Sequence, residues 1–254
     1  MPHNKDRREQ IKQIIQLKHK ITVSDLSEDF NVTPETIRRD LTCLELEGFV
    51  TRTYGGAVLR EARVNENSHF MLRAQRHNAE KKIIAELVYK ILPKRGVIAT
   101  DASSTAVEAV RRLKDDPEIT ILTNSTQVVS EFSESMFRIV STGGTVNKIT
   151  SSMQGSIVRS VLKDFYVDVV LLSCKALNMS GGIFDSNEDE AEIKKLLVDR
   201  GQKIILLADH SKFDKVAFVK LLDFEKLDVL VTDRELSNEW KNFLIDKNVL
   251  LIHK

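Results

Sequence analysis

Two cysteines in 254 residues, Cys43 and Cys174, are too few and too far apart for a disulfide framework or a cysteine-based metal knuckle. Four prolines and ten glycines exclude a collagen-like or low-complexity chain. No apolar run approaches the length of a membrane span. Residues 1–10 are too polar for a secretory signal, so a reducing cytoplasm is the expected setting. The six histidines, His3, His19, His69, His77, His210 and His253, contain no H-x-x-x-H pair, and no metal is expected. No G-x-G-x-x-G and no P-loop follows an apolar run, so no dinucleotide or other cofactor is expected either.

What is present fits a soluble globular chain, with 42% apolar and 30% charged residues. The length suits a small domain followed by a medium one. A net charge of +1 is silent about partners, but its distribution is not. Residues 1–20 carry +4, residues 21–47 carry −5 and residues 48–82 carry +4, leaving −2 on the rest. Two basic segments thus flank an acidic one near the N-terminus.

Ile11, Ile14, Ile15 and Leu17 give residues 5–18 the pattern of an amphipathic helix. A shorter helix follows, with Thr22 as N-cap, Asp25 in the capping-box position, Leu26 and Phe30 on its apolar face and Asn31 as a left-handed exit. Thr33-Pro34 then places a cap before a proline at the first helical position. Ile37, Leu41 and Leu44 form the buried stripe of this third helix, and Gly48 closes it. Arg39 lies about 160° from the centre of that stripe at 100° per residue. Glu35 and Thr42 flank it, and Arg38 sits on the shoulder. Phe49-Val50 and Ala57-Val58-Leu59 read as two short strands around a Tyr54-Gly55-Gly56 turn, with Arg52 just before it. Three helices and a hairpin make a winged helix-turn-helix, in which the third helix enters the major groove and a glycine wing approaches a phosphate.

The run from Thr33 to Leu41, with Leu44-Glu45, Gly48, Arg52 and Tyr54-Gly55-Gly56-Ala57, closely resembles the signature of the DeoR-type (deoxyribose operon repressor) family of bacterial transcription regulators. The resemblance implies that Thr33, Glu35, Thr36, Arg38, Arg39, Thr42, Arg52, Tyr54, Gly55 and Gly56 form an operator-reading surface on double-stranded DNA.

Residues 61–68 are polar and aperiodic and read as a linker. The expected organisation is a DNA-binding domain over 1–60, a linker and the start of a connecting helix over 61–80, and an α/β domain over 81–254. From His69 the pattern is helical, with a stripe of Ile83, Ile84, Leu87, Val88, Ile91 and Leu92 that ends at Pro93. Arg73, Arg76, Lys81 and Lys82 on its approach read as residues that keep the linker soluble, with a contribution to the field near DNA as the alternative.

Beyond residue 95 short apolar runs alternate with helical patterns. Strands are expected at 97–100, 119–122, 138–140, 167–173, 204–208, 229–231 and 249–252. Helices are expected at 106–113, 128–132, 157–162, 191–198 and 236–244. This alternation means an α/β fold with a largely parallel sheet covered on both faces. Ligands in such folds bind beyond the carboxyl ends of the strands. Small polar residues collect there: Asp101 to Thr105, Thr123-Asn124-Ser125, Ser141-Thr142-Gly143-Gly144, Ser173-Cys174-Lys175 and Asp209 to Lys212. Hydroxyls and amides at helix starts suit an anion, adjacent glycines let backbone amides approach it, and Lys175 and Lys212 supply charge for a phosphate. Asp101, Asn124 and Asp209 are suited to sugar hydroxyls.

This half is similar to the same family's sensor domain, whose fold is like that of sugar-phosphate isomerases. The family's Asp-x-Gly-Thr-Thr loop matches Asp101 to Thr105, with Ser103 and Ser104 replacing the glycine and the first threonine. Its Thr-Asn matches Thr123-Asn124, its Gly-Gly matches Gly143-Gly144, and its Ser-Ser-Lys matches His210-Ser211-Lys212. Ala191, Glu192 and Lys194 match the helix before that last loop. The resemblance implies an effector site of Asp101, Ser103, Ser104, Thr105, Thr123, Asn124, Ser125, Gly143, Gly144, Lys175, Glu192, Asp209 and Lys212, with a phosphorylated sugar as ligand. The function expected is a DNA-binding repressor of a sugar uptake or catabolism operon, acting as a homodimer or homotetramer and without enzyme activity. Two alternatives stand beside it. One is an activator. The other is a sugar-phosphate isomerase with Asp101, Glu192 or Asp209 as base.

Overall fold

The computed structural model describes residues 4–18, 20–46, 49–53, 55–59 and 66–254. The chain divides into two compact units, Met1–Asn65 and Glu66–Lys254. Among the described residues no helix is long and apolar enough to cross a membrane.

The first unit contains α1 (Asn4–Lys18), β1 (Lys20–Thr22), α2 (Val23–Phe30), α3 (Pro34–Leu46), β2 (Val50–Thr53) and β3 (Gly56–Leu59). Its helices begin and end where local chemistry directs. Thr22 Oγ1 accepts the Asp25 N–H at 3.1 Å, and Asn31 leaves α2 at φ 48°. Thr33 Oγ1 accepts the Thr36 N–H at 3.3 Å. Ile11, Ile15, Leu26, Ile37, Leu41, Leu44, Val50 and Ala57 meet in one core. Arg7 Nε donates to Asp40 Oδ2 at 2.6 Å in a buried ion pair that joins α1 to α3. Strand β1 is an addition to the expected hairpin. It pairs antiparallel with β3, so the sheet order is β1-β3-β2. Gly56 permits that pairing, since a Cβ there would stand 2.1 Å from the Ile21 carbonyl oxygen. Gly48, Tyr54, residues 60–65 and the side chain of Leu17 lie outside the described residues.

The second unit contains α4 (Glu66–Gln75), α5 (Asn78–Tyr89), β4 (Gly96–Thr100), α6 (Ser104–Val110), β5 (Ile119–Thr123), α7 (Thr126–Glu131) and β6 (Arg138–Ser141). It continues through β7 (Thr145–Asn147), β8 (Ser152–Gln154), α8 (Ser156–Leu162), β9 (Val167–Ser173), β10 (Ala176–Asn178), β11 (Gly182–Asp185) and α9 (Glu188–Val198). It ends with β12 (Gly201–Leu207), β13 (Val219–Leu222), β14 (Val229–Val231), α10 (Asn238–Asp246) and β15 (Leu250–Ile252). The helical pattern around residue 77 is two helices rather than one: His77 adopts φ 55° and separates α4 from α5.

Seven parallel strands form the central sheet in the order β15-β14-β12-β9-β4-β5-β6. Side chains alternate across it, as the two-residue strand period requires. Ile98, Ile121, Val169, Leu171, Ile205 and Leu207 pack on Phe70, Ile84, Val88, Val107 and Val128 of α4 to α7. Ala99, Leu122, Val170, Leu172, Ile204 and Leu206 pack on Val158, Leu162, Ala191, Leu197, Trp240 and Leu244 of α8 to α10. A small antiparallel sheet, β10-β11-β13, and the β7-β8 hairpin are added to this frame. Chain order reverses between β4 and β9, and such a switch point opens a crevice at the carboxyl ends of the strands.

Candidate functional site

Helix α3 buries Ile37, Leu41 and Leu44 completely, so its opposite face is turned outward. Arg39 is more open than Arg38 or Glu35, with 81% of its side chain exposed. Glu35 lies 3.3 Å from Arg38 and 3.9 Å from Arg39 on the same exposed face. Thr33 and Thr36 share a hydroxyl–hydroxyl bond of 2.9 Å at the start of the helix. The Thr42 hydroxyl donates to the Arg38 carbonyl at 2.9 Å.

Arg52 behaves differently. Its Nη1 donates to the Arg38 carbonyl at 3.2 Å and to Thr42 Oγ1 at 3.1 Å, and its Nε donates to the Gly56 carbonyl at 3.3 Å. These bonds tie the hairpin to α3. Gly55, at φ 83° with open space around its Cα, forms the tip. Tyr54 is outside the described residues.

In the second unit a cleft of about 170 Å³ opens at the switch point. Ser103, Ser104 and Thr105 follow β4, and Ser173, Cys174 and Lys175 follow β9. Asp209 and Lys212 follow β12, and Lys194 enters from α9. Asp185 and Ser186 complete the wall beside it. Arg73, Arg76, His77 and Lys81 line the cleft from α4 and α5. This corrects the reading of Arg73, Arg76 and Lys81 as solubilising linker residues: α4 and α5 both pack on α6, and the three residues line the strand ends, while Lys82 is exposed and does not line the cleft.

The floor of the cleft is a buried charge network. Lys194 Nζ lies 3.0 Å from Asp101 Oδ2 and 2.5 Å from Asp185 Oδ2, and donates to the Ser173 carbonyl at 2.8 Å. Burial opposes the lysine charge, but Asp101 and Asp185 outweigh it and hold the pKa above the ordinary lysine range. Asp101 also accepts the amides of Ser103 at 3.0 Å and Ser173 at 3.1 Å. It thereby clamps β4 to β9 across the crevice. Asp209 accepts the Ser211 amide at 3.0 Å as well as its hydroxyl.

The wall is cationic. Lys81 Nζ donates to the carbonyls of Arg73 and Arg76, at 2.6 Å for the latter, and so caps the end of α4. Burial lowers its pKa to about 8, and the charges of Lys212 and Arg73 push the same way while Asp209 opposes. Among the described residues neither Lys175 nor Lys212 has a side-chain ion pair or hydrogen bond. First-turn helix amides are unpaired by construction, and those of Ser104 and Thr105 lie in the same wall. The Cys174 thiol is inert at neutral pH, since burial pushes its pKa up to about 12. Cations, amides and hydroxyls beside two carboxylates can hold a ligand that is anionic at one end and hydroxylated along its length.

Six of the sequence-derived effector residues therefore line one cleft: Ser103, Ser104, Thr105, Lys175, Asp209 and Lys212. Asp101 lies beneath it. The others brace neighbouring loops. Thr123 Oγ1 donates to the Thr100 carbonyl at 3.1 Å, and Asn124 Nδ2 to the Met153 carbonyl at 3.2 Å. Ser125 caps α7. Gly144, at φ 109°, has no room for a Cβ, which would stand 2.7 Å from the Gln154 carbonyl oxygen, and Gly143 is at φ 63° beside it. Glu192 is on the surface, 3.0 Å from Arg159. The residues that the loop motifs did not supply are Arg73, Arg76, His77, Lys81 and Asp185. Their positive charge near residue 75 is visible in the sequence, but its direction is not.

Comparison with known proteins covers both units. Residues 7–63 match the DeoR-like helix-turn-helix domain, and residues 76–234 match the DeoR C terminal sensor domain. The chain is 36% identical over 245 residues to an uncharacterized HTH-type transcriptional regulator, YulB, of Bacillus subtilis, covering 96% of this chain and 94% of that one. It is 28% identical to an L-fucose operon activator of Haemophilus influenzae, over 97% of this chain and 98% of that one. It is also 28% identical to the transcriptional repressor AccR of Agrobacterium fabrum, over 90% and 89%. Among solved structures, a D-ribose-5-phosphate isomerase in complex with phospho-erythronic acid aligns with 54% of each chain at 17% identity and a TM-score of 0.41.

Proposed function

The chain belongs to the DeoR family of transcriptional regulators, and from that premise we propose that it represses a sugar uptake or catabolism operon and is released from its operator by a phosphorylated sugar. The observation that carries the effector assignment is the cleft at the switch point, where Arg76, Lys175 and Lys212 stand beside the hydroxyls of Ser103, Ser104 and Thr105. A phosphate fits the cations and first-turn amides. Sugar hydroxyls fit Asp209 and the serines. The mechanism is linkage: an effector that binds the DNA-incompetent arrangement more tightly shifts the population by its differential affinity. Helix α4 is the element through which we expect the shift to travel, because it brings Arg73 and Arg76 to the cleft and is the first element of the second unit. Two half-sites need two reading helices, so a homodimer or homotetramer in the cytoplasm is part of the same proposal.

The engaged carboxylates support a sensor over an isomerase. A base must be free to take a proton. Asp101 is committed to Lys194 and two amides, Asp209 to Ser211, and Glu192 to Arg159 outside the cleft. Fluorescence anisotropy on labelled DNA from upstream of the operon, with sugar phosphates added one at a time, tests the proposal. Release by one compound supports it; turnover of that compound by the purified protein overturns the sensor reading. Transcription in vitro from the same fragment decides the sign, and an increase on adding protein would make it an activator.

Arg39→Ala is expected to weaken operator binding and, for a bidentate contact to guanine, to reduce base discrimination by ~1–3 kcal/mol. Unchanged affinity and site preference would remove Arg39 from the reading surface. A second expectation concerns pH. Lys81 is charged below its pKa of about 8 and neutral above it, so an anionic effector gains its full attraction at pH 7 and loses it as pH rises through 8. The effector Kd measured between pH 7 and 9.5 is expected to rise in wild type and to be flatter in Lys81→Met. Parallel profiles would exclude Lys81 from the effector's field.

A further inference from the structure

Beside the anion cleft, the fold assembles three groups that no motif connects. His77 ends the turn between α4 and α5, Glu80 lies one helical turn further on, and His210 opens the loop after β12. One donor atom from each lies within 4.8 Å of the other two. We propose that His77, Glu80 and His210 bind a divalent transition-metal ion of the zinc class.

The chemistry of the donors favours a metal over an ordinary surface cluster. Two imidazoles and one carboxylate are a zinc ligand set that leaves a fourth position open. Glu80 is half-buried and has no side-chain hydrogen bond among the described residues; its nearest partner is His77 Nδ1 at 3.8 Å. That distance is too long for a hydrogen bond. The His77 backbone is held at φ 55°, in the left-handed region that non-glycine residues rarely occupy. Its ring stands edge-to-face against that of His210, 5.7 Å between centroids.

His210 has the support that metal-binding histidines have. Its Nδ1 lies 2.9 Å from Asp233 Oδ2, and Asp233 Oδ1 accepts the His210 amide at 2.7 Å. A carboxylate on Nδ1 places the proton there and leaves the Nε2 lone pair for a metal. Arg234 Nη2 also stands 2.8 Å from Nδ1. Its side chain is 58% exposed, against 4% for the carboxylate, so the buried Asp233 is the partner on which the assignment of the Nδ1 proton rests. Tetrahedral zinc with bonds near 2.0–2.2 Å holds its donors about 3.4 Å apart. The donors here, within 4.8 Å of one another, stand about one ångström outside that spacing. His77 also lines the cleft, so the open position faces an exchangeable water or an anionic ligand.

The test uses the full-length protein, stripped with a chelator and titrated calorimetrically with Zn2+ in the absence of DNA and sugar phosphate. Its outcome is therefore independent of the effector assignment. One equivalent per chain is expected, with a higher melting temperature on binding. Co2+ in place of Zn2+ is expected to give the visible absorption of a four-coordinate site. Affinity is expected to collapse in His77→Ala and in Glu80→Gln, to fall roughly 10–100-fold in Asp233→Asn, and to stay unchanged in His253→Ala. Because His210→Ala also disturbs the Asp233 loop, His77→Ala and Glu80→Gln are the decisive variants. Absence of saturable binding, or wild-type affinity in both of them, overturns the proposal.

Discussion

Lys194→Met is expected to lower the stability of the second unit by roughly 3–5 kcal/mol, the usual result of removing one partner from a buried ion pair. The substitution leaves Asp101 and Asp185 buried without a counter-charge, and deprives the Ser173 carbonyl of its donor. The damage spreads because Asp101 links β4 to β9 through the Ser103 and Ser173 amides. Those two strands meet at the switch point, so the effector response is expected to be lost along with stability. Urea unfolding measures the first effect and effector titration of the folded fraction the second. Lys194→Met/Asp101→Asn is expected to recover part of the loss, since one orphan charge is removed with its partner. The pH dependence has a definite sign. Because the folded pKa of Lys194 is raised, its contribution is complete below the ordinary lysine pKa and declines only at strongly alkaline pH. A midpoint in urea equal to wild type would mean that the network is solvated and contributes little.

The N-terminal unit was readable because its signals are local. Thr22, Asn31 and Thr33 cap or terminate helices through bonds to residues no more than four away. The buried stripe of α3 is a single periodicity. The seven parallel strands were likewise visible as apolar runs. What escaped was structure that depends on remote partners. Strand β1 has one buried residue and exists through its pairing with β3. Strand β13 pairs with β11 from across α9 and β12. The site divides on the same principle. The loops after β4, β9 and β12 announce themselves by composition, yet similar composition after β5 and β6 serves capping and tight turns. Thr123, Asn124, Ser125 and Gly144 are spent on bracing backbone, which is the commoner use of such residues. Arg73 and Arg76 look like solvated charge in one dimension. The break at His77 and the packing of α4 on α6 turn them toward the cleft.

Lys212→Ala is expected to leave operator affinity intact and to weaken the sugar-phosphate effector ~10–100-fold, the worth of one hydrogen bond to a charged group at roughly 1.5–3 kcal/mol. The residue meets three conditions for a phosphate ligand. It lines the cleft, and its ammonium is uncommitted among the described residues. Its backbone is fixed by the turn in which the Lys212 amide donates to the Asp209 carbonyl at 3.0 Å. Lys175 is more exposed, and a screened charge of that kind is worth less, so Lys175→Ala is expected to have the smaller effect. Lys215 serves as the control: it is three residues away, exposed, and donates to the Ser211 carbonyl at 2.7 Å without lining the cleft. Since an effector moves the equilibrium only by its differential affinity, a weaker contact in the released state shifts the release midpoint to higher effector concentration. It does not change the affinity of the effector-free protein for DNA. Anisotropy reads both quantities in one titration. A release midpoint matching wild type in Lys212→Ala would make this lysine a surface charge and move the phosphate to Arg73, Arg76 or Lys175, while a loss of DNA affinity without effector would show that the turn supports the fold instead.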